Sequence, residues 1–147
     1  MNKSTCVTNS LEETQKLAEE LAKKLLKEEG PIIIALKGEL GGGKTSFTQG
    51  FAKGLGIKEK ILSPTFNIFK KYKTRPGRVL YHFDCYRIED VKEILDLGFE
   101  EIISNDNIVV IEWAERIKKI LPKETIWINF KFIDETTRHL DFFNKKL

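Results

Sequence analysis

The sequence predicts a three-layer α/β fold, a mostly parallel sheet between helices with one antiparallel hairpin inserted into it. Three observations carry this expectation. The apolar run Ile32-Ile33-Ile34-Ala35-Leu36 leads into Gly38-Glu39-Leu40-Gly41-Gly42-Gly43-Lys44-Thr45, and an amphipathic stretch follows. A second run, Ile108-Val109-Val110-Ile111, is apolar throughout, as a strand buried on both faces must be. Between them, two alternating segments flank the turn Thr74-Arg75-Pro76-Gly77, which joins them as a hairpin.

The elements follow in order. Ser10-Leu11-Glu12-Glu13 is a capping box, and Leu11, Thr14, Leu17, Ala18, Leu21, Ala22 and Leu25 continue it as one apolar helix face. Gly30 and Pro31 close that helix, and Pro31 starts the strand 32–36, where no ladder donor is required of it. Ser46 to Leu55 places Phe47, Phe51, Ala52 and Leu55 at helical spacing until Gly56 stops the helix. Segments 66–72 and 78–84 are the hairpin strands. Val91 to Leu97 is a short helix ended at Gly98, Ile108 to Ile111 is a central strand, and Glu115 to Ile120 is helical until Pro122. Thr125 to Phe132 alternates as a late strand, and 138–142 offers one more. With 147 residues and 41% hydrophobic content the chain is expected to form a single domain around one core.

Composition excludes some classes of partner and leaves others. The formal charge of +3 makes no electrostatic case for nucleic acid by itself. The cluster Lys70, Lys71, Lys73, Arg75 and Arg78 is locally basic, and reads equally as a solvated hairpin end or as a contact surface for RNA or an acidic partner. Cys6 and Cys85 lack metal-ligand spacing and read as reduced thiols, the expectation for a cytoplasmic protein. No signal-like segment or membrane-length apolar run is visible in the sequence.

The glycine-rich segment carries the chemistry. It fits G-x-x-x-x-G-K-[ST] at every fixed position, with the strand before it and the helix after it that such a loop needs. The fold is therefore expected to be P-loop NTPase-like. Gly41, Gly42 and Gly43 let consecutive N–H groups turn inward as an anion nest, so the phosphate-contacting set is Leu40, Gly41, Gly42, Gly43, Lys44, Thr45 and Ser46. Lys44 is expected across the β- and γ-phosphates, with the Thr45 hydroxyl on a bridging Mg²⁺. Glu112 and Asp84 each end an apolar strand, where ligands of open α/β sheets bind. Glu112, after the most apolar strand, is expected on Mg²⁺, directly or through water. Asp84 is the second candidate, for metal-bound water or for orienting the attacking water. Thr65, in Ser63-Pro64-Thr65, is either a switch residue for the γ-phosphate or a plain turn residue. His82, between Tyr81 and Phe83, reads as a hydrogen-bonded structural histidine; Trp113 and Trp127 read by default as core or rim aromatics, though Trp113, directly after Glu112, would stand near the phosphates if the sheet is built this way. The chain has no Asn-Lys-x-Asp guanine-reading sequence, which favours ATP over GTP.

Several segments together resemble one family. Gly38 to Thr45, Ser63-Pro64-Thr65-Phe66, His82-Phe83-Asp84-Cys85-Tyr86-Arg87, Asp96-Leu97-Gly98-Phe99-Glu100 and Glu112-Trp113-Ala114-Glu115 with Leu121-Pro122 occur in the order and spacing of the bacterial TsaE (YjeE) ATPases. Glu39 and Gly42 are mild variants of the pattern. The resemblance covers about residues 10 to 135. It implies an ATPase, slow alone, that works with TsaB and TsaD in placing a threonylcarbamoyl group on the adenosine beside the anticodon of ANN-decoding tRNAs. It also implies ATP and Mg²⁺ as cofactors, Lys44 and Thr45 on phosphate and metal, Glu112 as the metal carboxylate, and Thr65, Asp84 and Trp113 as functionally sensitive. Ser10 and Arg138 would flank the adenine. Two alternatives share these residues: a small-molecule P-loop kinase, which would need an arginine-rich lid, and a nucleotide-dependent docking module that does not hydrolyse.

Overall fold

A computed structural model describes residues 3–39, 43–64, 67–74 and 77–143. The chain runs β1 (Lys3–Thr8), α1 (Leu11–Leu25), β2 (Ile32–Gly38), α2 (Lys44–Gly54), β3 (Phe69–Lys73), β4 (Val79–Asp84), α3 (Lys92–Leu95), α4 (Phe99–Ser104), β5 (Ile108–Glu112), a 3₁₀ segment (Ala114–Ile120), β6 (Ile126–Phe132) and β7 (Arg138–Phe143). All strands join one sheet in the order β1-β7-β6-β2-β5-β4-β3. Its centre, β6-β2-β5-β4, is parallel.

Period-two alternation assigns each strand's side chains to two cores. On one side Ile32, Ile34 and Leu36 of β2, Leu80 of β4 and Val110 of β5 pack beneath Ala18 and Ala22 of α1 and Phe47 and Phe51 of α2. On the other, Ile33, Ala35, Phe83, Val109 and Ile111 pack against Ile94, Phe99 and Ile117. Two cores either side of one sheet give the three layers, and explain why β2 and β5 read as unbroken apolar runs.

The structure corrects the sequence reading at several places. The hairpin β3–β4 is present, with Tyr72 opposite Leu80, but antiparallel pairing is not confined to it. β6–β7 and β7–β1 are antiparallel too. β1 has no counterpart in the sequence reading, because Lys-Ser-Thr-Cys-Val-Thr is mostly exposed and becomes a strand only by pairing with β7. α4 was likewise not expected. The helix expected from Glu115 is a 3₁₀ segment from Ala114, kinked at Ile117. α2 begins at Lys44, two residues earlier than its apolar periodicity indicates. In the basic cluster, Arg78 is not available to a partner. Its guanidinium donates to the carbonyls of Glu28 and Gly30 and pairs with Asp106 at 3.1 Å, so it holds the end of α1 against the approach to β5.

Candidate functional site

The site forms where apolar rows give way to polar residues at the carboxyl ends of the parallel strands. On the face toward α2, β4 reads Leu80, His82, Asp84 and β5 reads Ile108, Val110, Glu112, with Asp84 and Glu112 paired in register and Glu112 level with Leu36 of β2. The chain leaves β2 at Gly38 and returns into α2 through Gly43, whose φ of +100° is left-handed and free of Cβ strain only in glycine. α2 thus opens directly beside the two carboxylates, with its first-turn N–H groups and its positive dipole end toward them.

Lys44 is almost wholly buried there. Its ammonium donates to the carbonyls of Gly38 and Glu39 and lies 3.7 Å over the Trp113 ring. Burial pushes its pKa below the usual lysine value, while the nearby charges of Glu115, Glu112 and Asp84 act to raise it. The Thr45 hydroxyl donates to Glu112 Oε1 at 3.3 Å, and the other Glu112 oxygen, Oε2, lies 2.6 Å from His82 Nε2. Asp84 accepts from the Tyr86 N–H at 3.0 Å. Burial, and secondarily Glu112, hold its carboxyl above the usual range, against that hydrogen bond, His82 and Lys44. Trp113 is the one non-glycine residue with positive φ among those described, at +57°, and its ring lies 5.0 Å from that of Tyr86. The Cys85 thiol, buried in the core on the other face of the sheet, is pushed up to about 12 by burial and is inert as a nucleophile.

Gly43, Lys44, Thr45, Ser46, Asp84, Glu112 and Trp113 line one cavity of about 430 Å³, together with Ser10 and with Arg138, whose Cγ would lie 3.6 Å from a Cβ at Gly43. Ser10 caps α1, accepting from the Glu13 N–H at 3.1 Å, so the capping box also sets a cavity wall. Arg138 is held by its own loop: it donates to the Asp134 carbonyl at 2.6 Å and the Thr137 carbonyl at 3.1 Å, and stacks 4.7 Å over Phe132. Leu40, Gly41, Gly42 and Thr65 lie outside the described residues. The sequence reading missed Tyr86, Ser63, Glu135 and Thr136 as cavity residues. Asp134-Glu135-Thr136-Thr137 did carry a signal, since the Asp134 carboxylate accepts from the N–H groups of Thr136 and Thr137 and folds the β6–β7 turn over the site.

Oxygen donors of Thr45 and Glu112 beside a helix start suit a hard cation shared with an anionic ligand. Among the described residues no cluster of three or more His, Cys, Asp or Glu could hold a metal ion.

Fold and cavity together define the class: a mixed α/β protein in which a strand-to-helix turn, a lysine, a threonine and two acids meet at the carboxyl edge of a parallel sheet. The family model described as threonylcarbamoyl adenosine biosynthesis protein TsaE matches residues 8–140, and the chain belongs to this family. Proteins named tRNA threonylcarbamoyladenosine biosynthesis protein TsaE are similar to it over most of its length. The one from Rickettsia felis is 42% identical over 133 residues, 90% of this chain and 75% of the relative. The Treponema pallidum protein is 36% identical over 92% of this chain and 96% of its own. The crystal structure of Bacillus subtilis YdiB superposes with a TM-score of 0.71 at 32% identity, covering 96% of this chain and 84% of that one.

Proposed function

We propose that this protein is a Mg²⁺-dependent ATPase with a P-loop NTPase-like fold, serving tRNA threonylcarbamoyladenosine modification together with TsaB and TsaD in the cytoplasm. One observation carries the nucleotide reading: the adjacent Lys44 and Thr45, and Asp84 and Glu112 from two different strands, meet at the opening of α2 in the lining of one cavity. The pathway rests on family membership.

In this reading the N–H groups at the start of α2 and the Lys44 ammonium bind the β- and γ-phosphates. Lys44 exchanges its two carbonyl acceptors for phosphate oxygens, and its low-dielectric surroundings strengthen that bond. Mg²⁺, when bound, neutralises phosphate charge, and Thr45 and Glu112 are the residues that would hold it. Asp84 orients water, while Trp113 and Tyr86 shield the reacting end from bulk solvent. Ser10 and Arg138, which line the same cavity, would flank the base. Lys44 and Arg138 are the two cations lining the cavity among the described residues. Arg138 is tied to its own loop and, among the described residues, no other arginine lines this cavity, so turnover by the protein alone is expected to be slow. That observation also keeps the docking-module reading in play, and phosphate release with and without TsaB and TsaD separates the two.

Calorimetric titration tests the assignment. Lys44→Ala removes a charge-assisted bond worth about 1.5–3 kcal/mol, a loss of roughly tenfold to a hundredfold in ATP affinity. Near-normal affinity would refute it. Glu112→Ala is expected to weaken the Mg²⁺ dependence more than nucleotide binding itself.

A further inference from the structure

Glu112 has an anchor that the proposed chemistry leaves unused. His82 stands on the same sheet face, two residues before Asp84, wholly buried beneath the cavity rather than lining it. Its Nε2 is 2.6 Å from Glu112 Oε2, and its Nδ1 is buried with no hydrogen-bond partner among the described residues. A buried ring N–H without an acceptor is costly, so the proton belongs on Nε2 and is donated to the carboxylate. The two oxygens of Glu112 are thereby divided: Oε2 is held from below by the histidine and Oε1 is left beside the Thr45 hydroxyl.

We propose that His82 is a positioning residue for divalent-cation binding, fixing the Glu112 side chain so that Oε1 is presented next to Thr45. The proposal rests on the reading of Glu112 as the Mg²⁺ carboxylate. A glutamate has three side-chain torsions, and a buried one without this donor is free to turn its carboxylate toward Lys44 or the open cavity. Donors behind a metal-binding carboxylate typically matter by about 10–100-fold in metal affinity. His82 contributes through orientation alone, because Glu112 separates it from the cavity.

The test uses the full chain with ADP and Mn²⁺ as the probe cation, reading Mn²⁺ affinity at saturating ADP by electron paramagnetic resonance and metal-free ADP affinity by calorimetry. His82→Leu is expected to weaken Mn²⁺ by about 10–100-fold, with metal-free ADP affinity within about twofold of the wild type. His82→Gln, whose amide N–H can donate from a similar position, is expected to recover most of the loss. If the leucine variant is unfolded by thermal melting, the glutamine variant decides: wild-type-like Mn²⁺ affinity supports the proposal and a hundredfold loss in a folded protein overturns it. A folded His82→Leu with unchanged Mn²⁺ affinity also overturns it. Glu112→Ala separates the two levels. If it lowers Mn²⁺ affinity while His82→Leu does not, only the role of His82 fails. If neither does, the metal reading of Glu112 falls with it.

Discussion

Trp113 is held at φ +57° directly after the strand that carries Glu112, in a region costing a side-chain-bearing residue about 1–2 kcal/mol. Its ring lies over Lys44 and against Tyr86, so backbone strain places an aromatic cover on the site. Replacing it separates strain from cover. Trp113→Gly and Trp113→Ala both remove the ring, yet the glycine variant is expected to be more stable than the alanine variant by about 1–2 kcal/mol in urea unfolding. Equal stabilities would show that the left-handed backbone is not maintained without the indole. Asp84 gives a prediction with a pH sign. Its folded-state pKa is raised by burial, so the ionised carboxylate costs stability above that pKa and the cost disappears as pH falls through it toward the unfolded value. Asp84→Asn keeps an acceptor for the Tyr86 N–H. It should stabilise the nucleotide-free protein at neutral pH by less than about 1 kcal/mol, since solvent screens a half-buried group, and the gain should vanish in acid. The same variant is expected to bind ATP and hydrolyse it slowly. A pH-independent difference in melting temperature would remove the electrostatic explanation.

At the scale of elements, the position of α1 decides whether Ser10 reaches the cavity. α1 lies against α2 at Gly50 and Gly54. A Cβ at Gly50 would run into the carbonyl of Gln15 and stand 2.5 Å from its Cα, and one at Gly54 would meet Ala22 Cβ at 2.7 Å. Alanine is favoured over glycine by about 1 kcal/mol in a free helix. The clash is with backbone, however, and overpacking of this kind costs about 1–3 kcal/mol. Gly50→Ala is therefore expected to lower the urea midpoint despite its better propensity and to weaken ATP binding by moving Ser10 and Leu11 outward. A midpoint at or above that of the wild type would mean that α1 can slide without loss. Helix propensity alone predicts the opposite sign.

At the scale of the whole molecule, Ser63 lines both the cavity and an adjoining groove shared with Asp84 and Tyr86. The β3–β4 hairpin follows this segment and carries Lys70, Lys71 and Lys73 at the sheet edge. In the proposed ATP-binding reading, a surface that touches the γ-phosphate end of the site would gain partner affinity in one nucleotide state only. Docking on TsaB and TsaD is expected through this face, more tightly with a non-hydrolysable ATP analogue than with ADP, and Thr65→Ala is expected to erase the difference while sparing ADP binding. Equal affinities in both states, by calorimetry at fixed salt, would make the protein a constitutive subunit.

What the sequence determined by itself was local or strongly periodic. The apolar runs 32–36 and 108–111 read as doubly covered strands, and Ser10 with Glu13 read as the start of a helix. The glycines before Lys44 fitted one strand-to-helix turn, and Glu112 and Asp84 announced themselves by ending strands. The tertiary structure decided what depends on distant pairing. β1 is a polar segment that exists because β7 offers it a ladder. The second antiparallel edge follows from how β6 returns as β7. Arg78, read as part of a basic surface, is spent on the carbonyls of Glu28 and Gly30, which no local pattern connects to it. His82 is the same case at the site. Alternation marks it as buried, but only the register of β4 on β5 sets its ring against Glu112, because hydrogen bonds between residues thirty positions apart are fixed by strand order and not by sequence.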